Sequence, residues 1–397
     1  MTRRPHPGGR PSRPLRILDI TKFYAPSGGG VKTYLSAKGR WAASRADVDH
    51  VVVLPGPRDR RDEDPGTRTR IYRIRGPRIP VSPAYRFLVS TRKVRAVIQA
   101  ERPDVIEVGS PFLVPWITRR AARGADAAVL GFYHCDLVGA YAARLMPRRP
   151  RSFRTIALAL TRRYVAAVYN RFATTVAATP ATARRLRDCG VERVAVVPLA
   201  VDSELFHPDR RDPGWRDELA VRHDAPILLY AGRLCREKEV DIVMRAVPDL
   251  HARYAATTVF IGDGHLRPAI RALARDLPDA VRHLDYQTDP GRLARCLASA
   301  DIYLAPFSYE TFGLSALEAM ACGRPVVGSR SLALDDLLGD EEVGRTFVPG
   351  DAADLVRAVG ATLEAGPDQL GRHARRRAAG YTWSRTFDAL LRLYRTL

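Results

Sequence analysis

Two glutamates stand eight positions apart in Ser308-Tyr-Glu310-Thr-Phe312-Gly313-Leu314-Ser-Ala-Leu-Glu318-Ala-Met-Ala-Cys-Gly323. The stretch follows an apolar run, and Gly323 before Pro325 is an ordinary helix stop. A helix is therefore expected to begin near Phe312 to Leu314, with Glu310 in the loop before it and Glu318 inside it. The amide N–H groups of Phe312, Gly313, Leu314 and Ser315 would lack helical acceptors, and such a terminus favours an anion by about 0.3 to 1 kcal/mol. A carboxylate beside a phosphate held there can accept hydrogen bonds from sugar hydroxyls. One a little over two turns into the helix can reach a ribose diol. The plain alternative makes Glu310 a cap and Glu318 a surface residue.

A second segment, Tyr230-Ala-Gly-Arg233-Leu-Cys-Arg-Glu-Lys238-Glu239, directly follows another apolar run. Arg233 offers a planar fork and Lys238 a compact point charge, a combination that suits a diphosphate; taken singly, Arg233 reads equally well as a surface arginine. In Gly131-Phe-Tyr-His134-Cys-Asp136, His134 and Asp136 lie just beyond a strand, where both can reach a ligand and His134 can bond a sugar or relay a proton. A structural histidine is the competing reading. Gly28-Gly29-Gly30 lets amides approach a phosphate and opens into a helix. It is not G-x-G-x-x-G and has no acidic partner at nicotinamide spacing, so a mere tight turn is equally consistent. Gly262-Asp263-Gly264 reads as a turn that could border a base pocket. Asp62-Glu63-Asp64 falls in an arginine-rich loop, so no metal ligand set is assigned.

These residues need a frame, and short apolar runs alternating with helical stretches supply one. Leu15 to Ile20, Val51 to Leu54, Asp104 to Val108, Ala127 to Tyr133, Thr174 to Ala178 and Val194 to Val197 read as strands. Val31 to Ala43 and Tyr85 to Glu101 have helical spacing, and a polar loop runs to about residue 69. The pattern breaks at Pro198 to Pro208 and resumes at Ile227 to Ala231, Thr258 to Ile261, Ile302 to Ala305 and Pro325 to Val327. Such alternation predicts an α/β protein of parallel sheets with right-handed crossovers. Its two Rossmann-like, doubly wound domains are expected at 15–198 and 199–382, facing each other across a cleft with the ligand at the carboxyl ends of both sheets. Residues 1–14 are expected to be a disordered basic tail, and 383–397 a final helix whose packing partner the pattern leaves open.

Length and composition agree. The 397 residues suit two or three domains at roughly 150 residues each, and 46% apolar content excludes whole-chain disorder. The net charge of +21 comes from 59 Arg and only 5 Lys, spread throughout; it implies attraction to phosphates, anionic lipid or nucleic acid without choosing among them. Five scattered cysteines without C-x-x-C suit a reducing compartment. With no signal-like N-terminus and no apolar run long enough to span a bilayer, the expectation is a cytoplasmic protein, at most peripheral on the inner face of a membrane.

Together the motifs resemble those of the group 1 retaining glycosyltransferases of GT-B fold. The E-x7-E signature stands as Glu310 to Glu318, the G-R-x-x-x-E-K segment as Gly232 to Lys238, and the P-x-x-V-D-x-x-x-F linker as Pro198 to Phe206. The glycine loop and His134-Cys-Asp136 complete the likeness, which runs from about residue 15 to the end. The resemblance implies that Arg233 and Lys238 bind a donor diphosphate, Glu310 the sugar hydroxyls, Glu318 the ribose, and His134 the transferred sugar near its anomeric carbon. Gly29, Gly30, Asp136 and the amides of Phe312, Gly313 and Leu314 join the substrate-binding set. It further implies retention of configuration with no obligatory metal and no cofactor beyond the nucleotide-sugar donor. His-x-Asp after Phe-Tyr resembles the mannosyltransferases that use GDP-mannose, which is favoured over UDP-sugars; base-reading residues are expected around Arg282 to Gln287.

The acceptor, a hydroxyl on a glycan, glycolipid or small molecule, should be read by the first half. Leu137 to Thr175 contains eight arginines and no acidic residue. Within it, Phe153 to Phe172 mixes arginines with apolar residues, as a segment lying on anionic lipid would, or as a core-packing helix with an arginine-rich outer face. Two other classes of function stay open at this point. A non-catalytic sugar-nucleotide scaffold would bind donor without turnover. A basic nucleic-acid-binding protein would bind DNA with steep salt dependence, although no recognition signature for one is present.

Overall fold

The computed structural model describes residues 13–24, 29–80, 82–139, 151–339 and 342–397. The basic tail expected at 1–14 lies outside them, except for its last two residues. The described chain falls into two compact units: residues 1–132 with 171–174 and 396–397, and residues 133–170 with 175–395.

The first unit contains β1 (Leu15–Ile20), α1 (Gly30–Ala43), β2 (Val48–Gly56), β3 (Arg60–Glu63), β4 (Arg70–Arg75), β5 (Arg78–Ile79), β6 (Ser82–Arg86), α2 (Thr91–Glu101), β7 (Val105–Val108), α3 (Leu113–Ala121) and β8 (Ala128–Phe132). Its strands run in the order β8-β7-β1-β2-β4-β3, parallel except at the edge, where β3 pairs antiparallel with β4. The arginine-rich stretch read as a loop is this edge: Asp62 pairs with Arg60 and, at 3.3 Å, with Arg73. Ion pairing lets a strand form from residues of low strand propensity. The helix expected from Tyr85 begins only at Thr91, where the Ser90 side chain accepts from the Lys93 amide; Tyr85 and Arg86 belong to the β5–β6 hairpin.

Charged residues are buried at the centre of this sheet. The Lys38 ammonium, on α1, donates to Asp19 at 3.0 Å, Glu107 at 3.1 Å and the Tyr34 hydroxyl at 3.2 Å. Tyr34 donates to Glu107 at 2.8 Å, and His50 Nε2 lies 2.8 Å from Asp19. Burial would raise the pKa of Asp19, but Lys38 and His50 outweigh it and hold the carboxyl well below the usual range.

The second unit contains α4 (Arg151–Tyr169), β9 (Thr175–Ala177), α5 (Pro180–Asp188), β10 (Val194–Val196), α6 (Trp215–Glu218), β11 (Ile227–Ala231), α7 (Val240–Tyr254), β12 (Thr257–Ile261), α8 (Arg267–Asp276), β13 (Val281–Leu284), α9 (Pro290–Ser299), β14 (Ile302–Ala305), α10 (Leu314–Ala321), β15 (Val326–Ser329), α11 (Leu332–Leu338), β16 (Gly344–Phe347), α12 (Ala352–Glu364), α13 (Pro367–Ala378) and α14 (Trp383–Thr396). Besides the parallel β9–β10 pair, it holds a six-stranded, all-parallel sheet in the order β13-β12-β11-β14-β15-β16. Two of its strands, β13 and β16, have no apolar run to announce them. The first strand in sequence, β11, is central, with the next two added on one side and the remaining three on the other. The order therefore reverses between β11 and β14, and loops leaving the carboxyl ends of these two strands splay apart into a crevice. Leu228, Phe260, Leu304, Val327 and Phe347 of the sheet pack with Val243, Val247 and Leu250 of α7 and Leu355 and Val359 of α12 in one buried core.

The final helix has a partner after all. Thr386 donates to the Pro198 carbonyl at 2.8 Å, Val201 bridges to Thr382, and Tyr381 stacks edge-on against Phe312 at 5.8 Å. Among the described residues no helix is long and apolar enough to cross a membrane.

Candidate functional site

The crevice between β11 and β14 is where the two charged motifs meet. After β11 the chain passes Gly232 and Arg233 and makes a single 3₁₀ turn over Arg236–Lys238. After β14 it passes Phe307 to Thr311 before α10 begins. The Lys238 ammonium lies 2.7 Å from Glu310 Oε1 and 3.9 Å from the centre of the Phe307 ring. Both members of the pair are only one quarter exposed. Arg233 is about half exposed and reaches Glu237 at 3.2 Å, so its guanidinium faces solvent at the rim.

Both loops are braced from below. Glu239, at φ 55°, accepts from the Ser308 amide and hydroxyl at 2.7 Å each, and the Ser308 hydroxyl lies 2.7 Å from that of Ser329. Tyr230 donates to the Arg233 carbonyl at 2.9 Å. The Gly262-Asp263-Gly264 turn has a supporting role: the Leu234 amide donates to the Asp263 carbonyl at 2.9 Å and the Leu266 amide to the Leu234 carbonyl at 3.0 Å. A Cβ on Gly262 would lie 1.9 Å from the Gly232 oxygen, and one on Gly264 would lie 2.2 Å from that of Leu234. The backbones approach too closely there for any side chain.

Helix α10 opens at the same crevice. Gly313 is its N-cap at φ 92°, in the left-handed region that glycine tolerates, and no side chain caps the helix. The amides of Leu314 and Ser315 consequently have no hydrogen-bond acceptor among the described residues. Phe312 is buried against Tyr381, so what it can offer a ligand is its backbone. The other end of α10 is held by Arg375, which donates to the carbonyls of Ala321 at 2.7 Å, Phe206 at 3.0 Å and Ser203 at 3.1 Å.

Glu318 lies on the second turn of α10, partly buried and without a hydrogen-bond partner among the described residues. Loss of hydration pushes its pKa up to about 8. The groups that sense its charge are Tyr286, Tyr303 and Cys322, all of which it pushes upward on top of their own burial. Tyr303 also senses Glu310 and lies beneath both carboxylates, with its hydroxyl donating to the Ala231 carbonyl at 3.1 Å. With no cation among the described residues favouring ionisation, the carboxyl keeps its proton below about pH 8, and hydrogen-bond donors from a ligand would favour its ionised form. Within the range expected to read the base, Tyr286 is exposed and adjoins Glu318, whereas Arg282 gives its guanidinium to the carbonyls of Leu219, Ala220 and Pro278.

The His134 loop belongs to this unit. Thr311, next to Glu310, donates to the His134 carbonyl at 3.3 Å. Asp136 is buried and accepts from Tyr133 at 3.2 Å and from the Gly139 amide at 3.1 Å, with Arg185 at 3.5 Å. A small recess between the two loops is lined by Tyr133, Asp136, Thr182, Arg185, Ser308, Glu310, Thr311 and Leu332. The structure thus brings Lys238, Glu310, the His134 loop and the open end of α10 together, with Arg233 and Glu318 flanking them. Gly29 and Gly30 lie in the first unit at the start of α1, where Gly29 is at φ 118°, and Gly28 lies outside the described residues. Motif reading did not single out Glu239, although it ends the Arg233 segment, or Tyr303, a tyrosine within an apolar strand.

The match to known proteins settles the family. Residues 225–365 fit the model for "Glycosyl transferases group 1" and residues 28–205 that for "Glycosyltransferase Family 4". A GDP-mannose-dependent alpha-(1-6)-phosphatidylinositol dimannoside mannosyltransferase of Mycobacterium tuberculosis H37Ra is 34% identical over 386 residues, 95% of each chain. The chain is a group 1 glycosyltransferase. A GDP-mannose-dependent alpha-mannosyltransferase of Corynebacterium glutamicum is 26% identical over 96% of this glycosyltransferase and 89% of its own length. In fold, the sucrose-phosphate synthase of Thermosynechococcus elongatus matches with a TM-score of 0.76 at 22% identity, covering 96% of this chain and 98% of that one. The architecture is GT-B, as the motifs implied.

Proposed function

We propose that this glycosyltransferase moves a hexosyl group, mannosyl from GDP-mannose in preference to a UDP-sugar, onto a hydroxyl of a glycolipid or related acceptor, with retention of configuration and without an obligatory metal. The observation that carries the reading is the 2.7 Å Lys238–Glu310 pair in the crevice beside the uncapped amides of α10. A donor diphosphate replaces Glu310 as the counter-ion of Lys238, with Arg233 and the α10 amides as its other partners. Glu310 is then released to accept from the sugar hydroxyls, and Glu318 takes the ribose diol. Negative charge growing on the leaving diphosphate is met by groups already in place, so catalysis is chiefly positioning and electrostatic stabilisation.

A double displacement needs a carboxylate on the face opposite the leaving group, and none of the motifs supplies one. The acceptor oxygen therefore attacks the anomeric carbon from the face the diphosphate leaves: the new C–O bond forms as the sugar–phosphate bond breaks, and the acceptor proton passes to the departing phosphate oxygen. The mannosyl preference is supported by the His134-Cys-Asp136 segment and by the GDP-mannose dependence of the two bacterial relatives. The phosphatidylinositol dimannoside acceptor of the mycobacterial relative supports a lipid-linked acceptor, reached from an anionic membrane face.

Thermal unfolding against a panel of sugar nucleotides tests the donor, since a ligand of the folded state raises the midpoint by mass action. GDP-mannose should give the largest shift, and proton NMR of the product should show the donor's α configuration. A larger shift with a UDP-sugar overturns the donor, an inverted product overturns the mechanism, and binding without transfer overturns the catalytic reading.

A further inference from the structure

Glu239 carries a side chain where the backbone is served best by none. Its φ of 55° lies in the left-handed region, which glycine enters freely and other residues enter at a cost. It is also the N-cap of α7, yet its side chain makes no capping bond to that helix. The carboxylate turns instead to the neighbouring loop, where the amide and the hydroxyl of Ser308 both donate to its Oε2 at 2.7 Å. Hydrogen bonds to an ionised acceptor are the stronger kind. Because the Ser308 hydroxyl gives its one proton to Glu239, the Ser329 hydroxyl 2.7 Å away must donate to Ser308. Hydrogen bonds therefore run in one direction from the buried end of β15, through the loop after β14, to the turn after β11.

Glu239 directly follows Lys238, and Glu310 stands two residues beyond Ser308, so this clamp joins the two backbones that carry the charged pair. The contact of Lys238 with Glu310 and its approach to the Phe307 ring both use the ammonium. When a donor diphosphate draws that ammonium to itself, those contacts weaken, whereas the Glu239–Ser308 bonds do not involve it and persist. We propose that Glu239 is a positioning residue: acting through Ser308, it holds Glu310 in place for the sugar hydroxyls once Lys238 has exchanged Glu310 for the diphosphate. The inference rests on the diphosphate reading above and adds to it a residue that touches neither donor nor acceptor.

The test separates rate from binding in the full chain. Glu239→Gly removes the carboxylate and suits the left-handed backbone, while Glu239→Gln keeps an oxygen that can accept from Ser308. With GDP-mannose as donor, the glycine variant should lose about tenfold or more in kcat while its affinity for GDP stays within about twofold of wild type, and the glutamine variant should recover most of the rate. Wild-type kcat in Glu239→Gly overturns the proposal, and so does a loss of GDP affinity as large as the loss of rate. In a Glu310→Gln background, Glu239→Gly should cost little more, because it acts through Glu310; a further loss of about tenfold there overturns the positioning role. Hydrogen exchange over residues 308–311 needs no ligand. Lys238→Ala, which removes the ammonium contacts, should leave protection of this segment within about threefold of wild type, and Lys238→Ala/Glu239→Gly should lower it by about tenfold or more. Equal exchange in the single and double variants overturns the clamp. Unchanged GDP affinity in Lys238→Ala overturns the diphosphate reading instead, and the exchange comparison then decides the clamp without it.

Discussion

Two groups of charged residues in this molecule differ in one respect that separates architecture from function. In the first unit, Asp19, Lys38, His50, Glu107 and Tyr34 are almost fully buried and linked by hydrogen bonds of 2.8 to 3.2 Å. In the second unit, Lys238 and Glu310 are partly exposed and hold each other through one 2.7 Å contact, and among the described residues Glu318 has no partner and the amides of Leu314 and Ser315 at the start of α10 have no acceptor. A network that already satisfies its charges fixes the fold. One left short of partners, where the strand order reverses, is poised for a ligand.

Breaking the two ammonium sites gives the sharpest contrast. Lys38→Met should lower the unfolding free energy by about 3 to 5 kcal/mol, because two buried carboxylates lose their cation; Lys238→Met should change it by about 1 kcal/mol or less, as a partly exposed pair does. Denaturant titration reads both, and equal losses would erase the distinction. Next in size, Arg233→Ala and Lys238→Ala should each reduce kcat/KM for the donor at least tenfold, about 1.4 kcal/mol, with little change in unfolding midpoint. Wild-type turnover in both variants would remove them from the diphosphate site.

The Glu318 carboxyl supplies a pH test. Burial raises its folded pKa to about 8, from an ordinary 4.5. Between those values the folded protein keeps a proton that the unfolded chain has lost, so this group's contribution to stability is complete below about pH 4.5 and is lost as pH rises through about 8. If ribose hydroxyls donate to the ionised carboxylate, donor affinity should climb severalfold over the same rise. Glu318→Gln should flatten both profiles, and an unaltered pH dependence of donor affinity in that variant would free Glu318 from the ribose. The smallest effect is expected from chelation. Transfer rates measured in EDTA should match those in its absence, and loss of activity that magnesium restores would require a metal in the mechanism.

Much of the site was legible because it is carried by short contiguous segments. Glu310 and Glu318 are placed by one loop and one helix, and Arg233 and Lys238 by one strand end, so spacing alone predicts where they lie. The α10 boundaries were equally readable, with a start expected near Phe312 to Leu314 and a stop at Gly323, against Leu314–Ala321 in the structure. Where a segment's structure depends on distant partners, the reading failed. The β3 edge looked like a loop because its arginines and acids are strand residues only when β4 pairs with them, and β13 and β16 lack an apolar run because they are the two edge strands of their sheet and only partly buried. The Asp19–Lys38–Glu107 cluster left one faint signal, charged residues inside apolar strand runs, which nothing local could interpret.

The sequence by itself determined the alternation of strands and helices, the two charged motifs and the family they belong to, since each depends on residues near one another in the chain. Only the tertiary structure decided that Lys238 holds Glu310, that Glu318 is partly buried with no hydrogen-bond partner among the described residues, and that Gly262 and Gly264 brace the Arg233 loop. Those facts depend on which residues distant in sequence come within a few ångströms, and burial and pairing exist only once the chain has closed on itself.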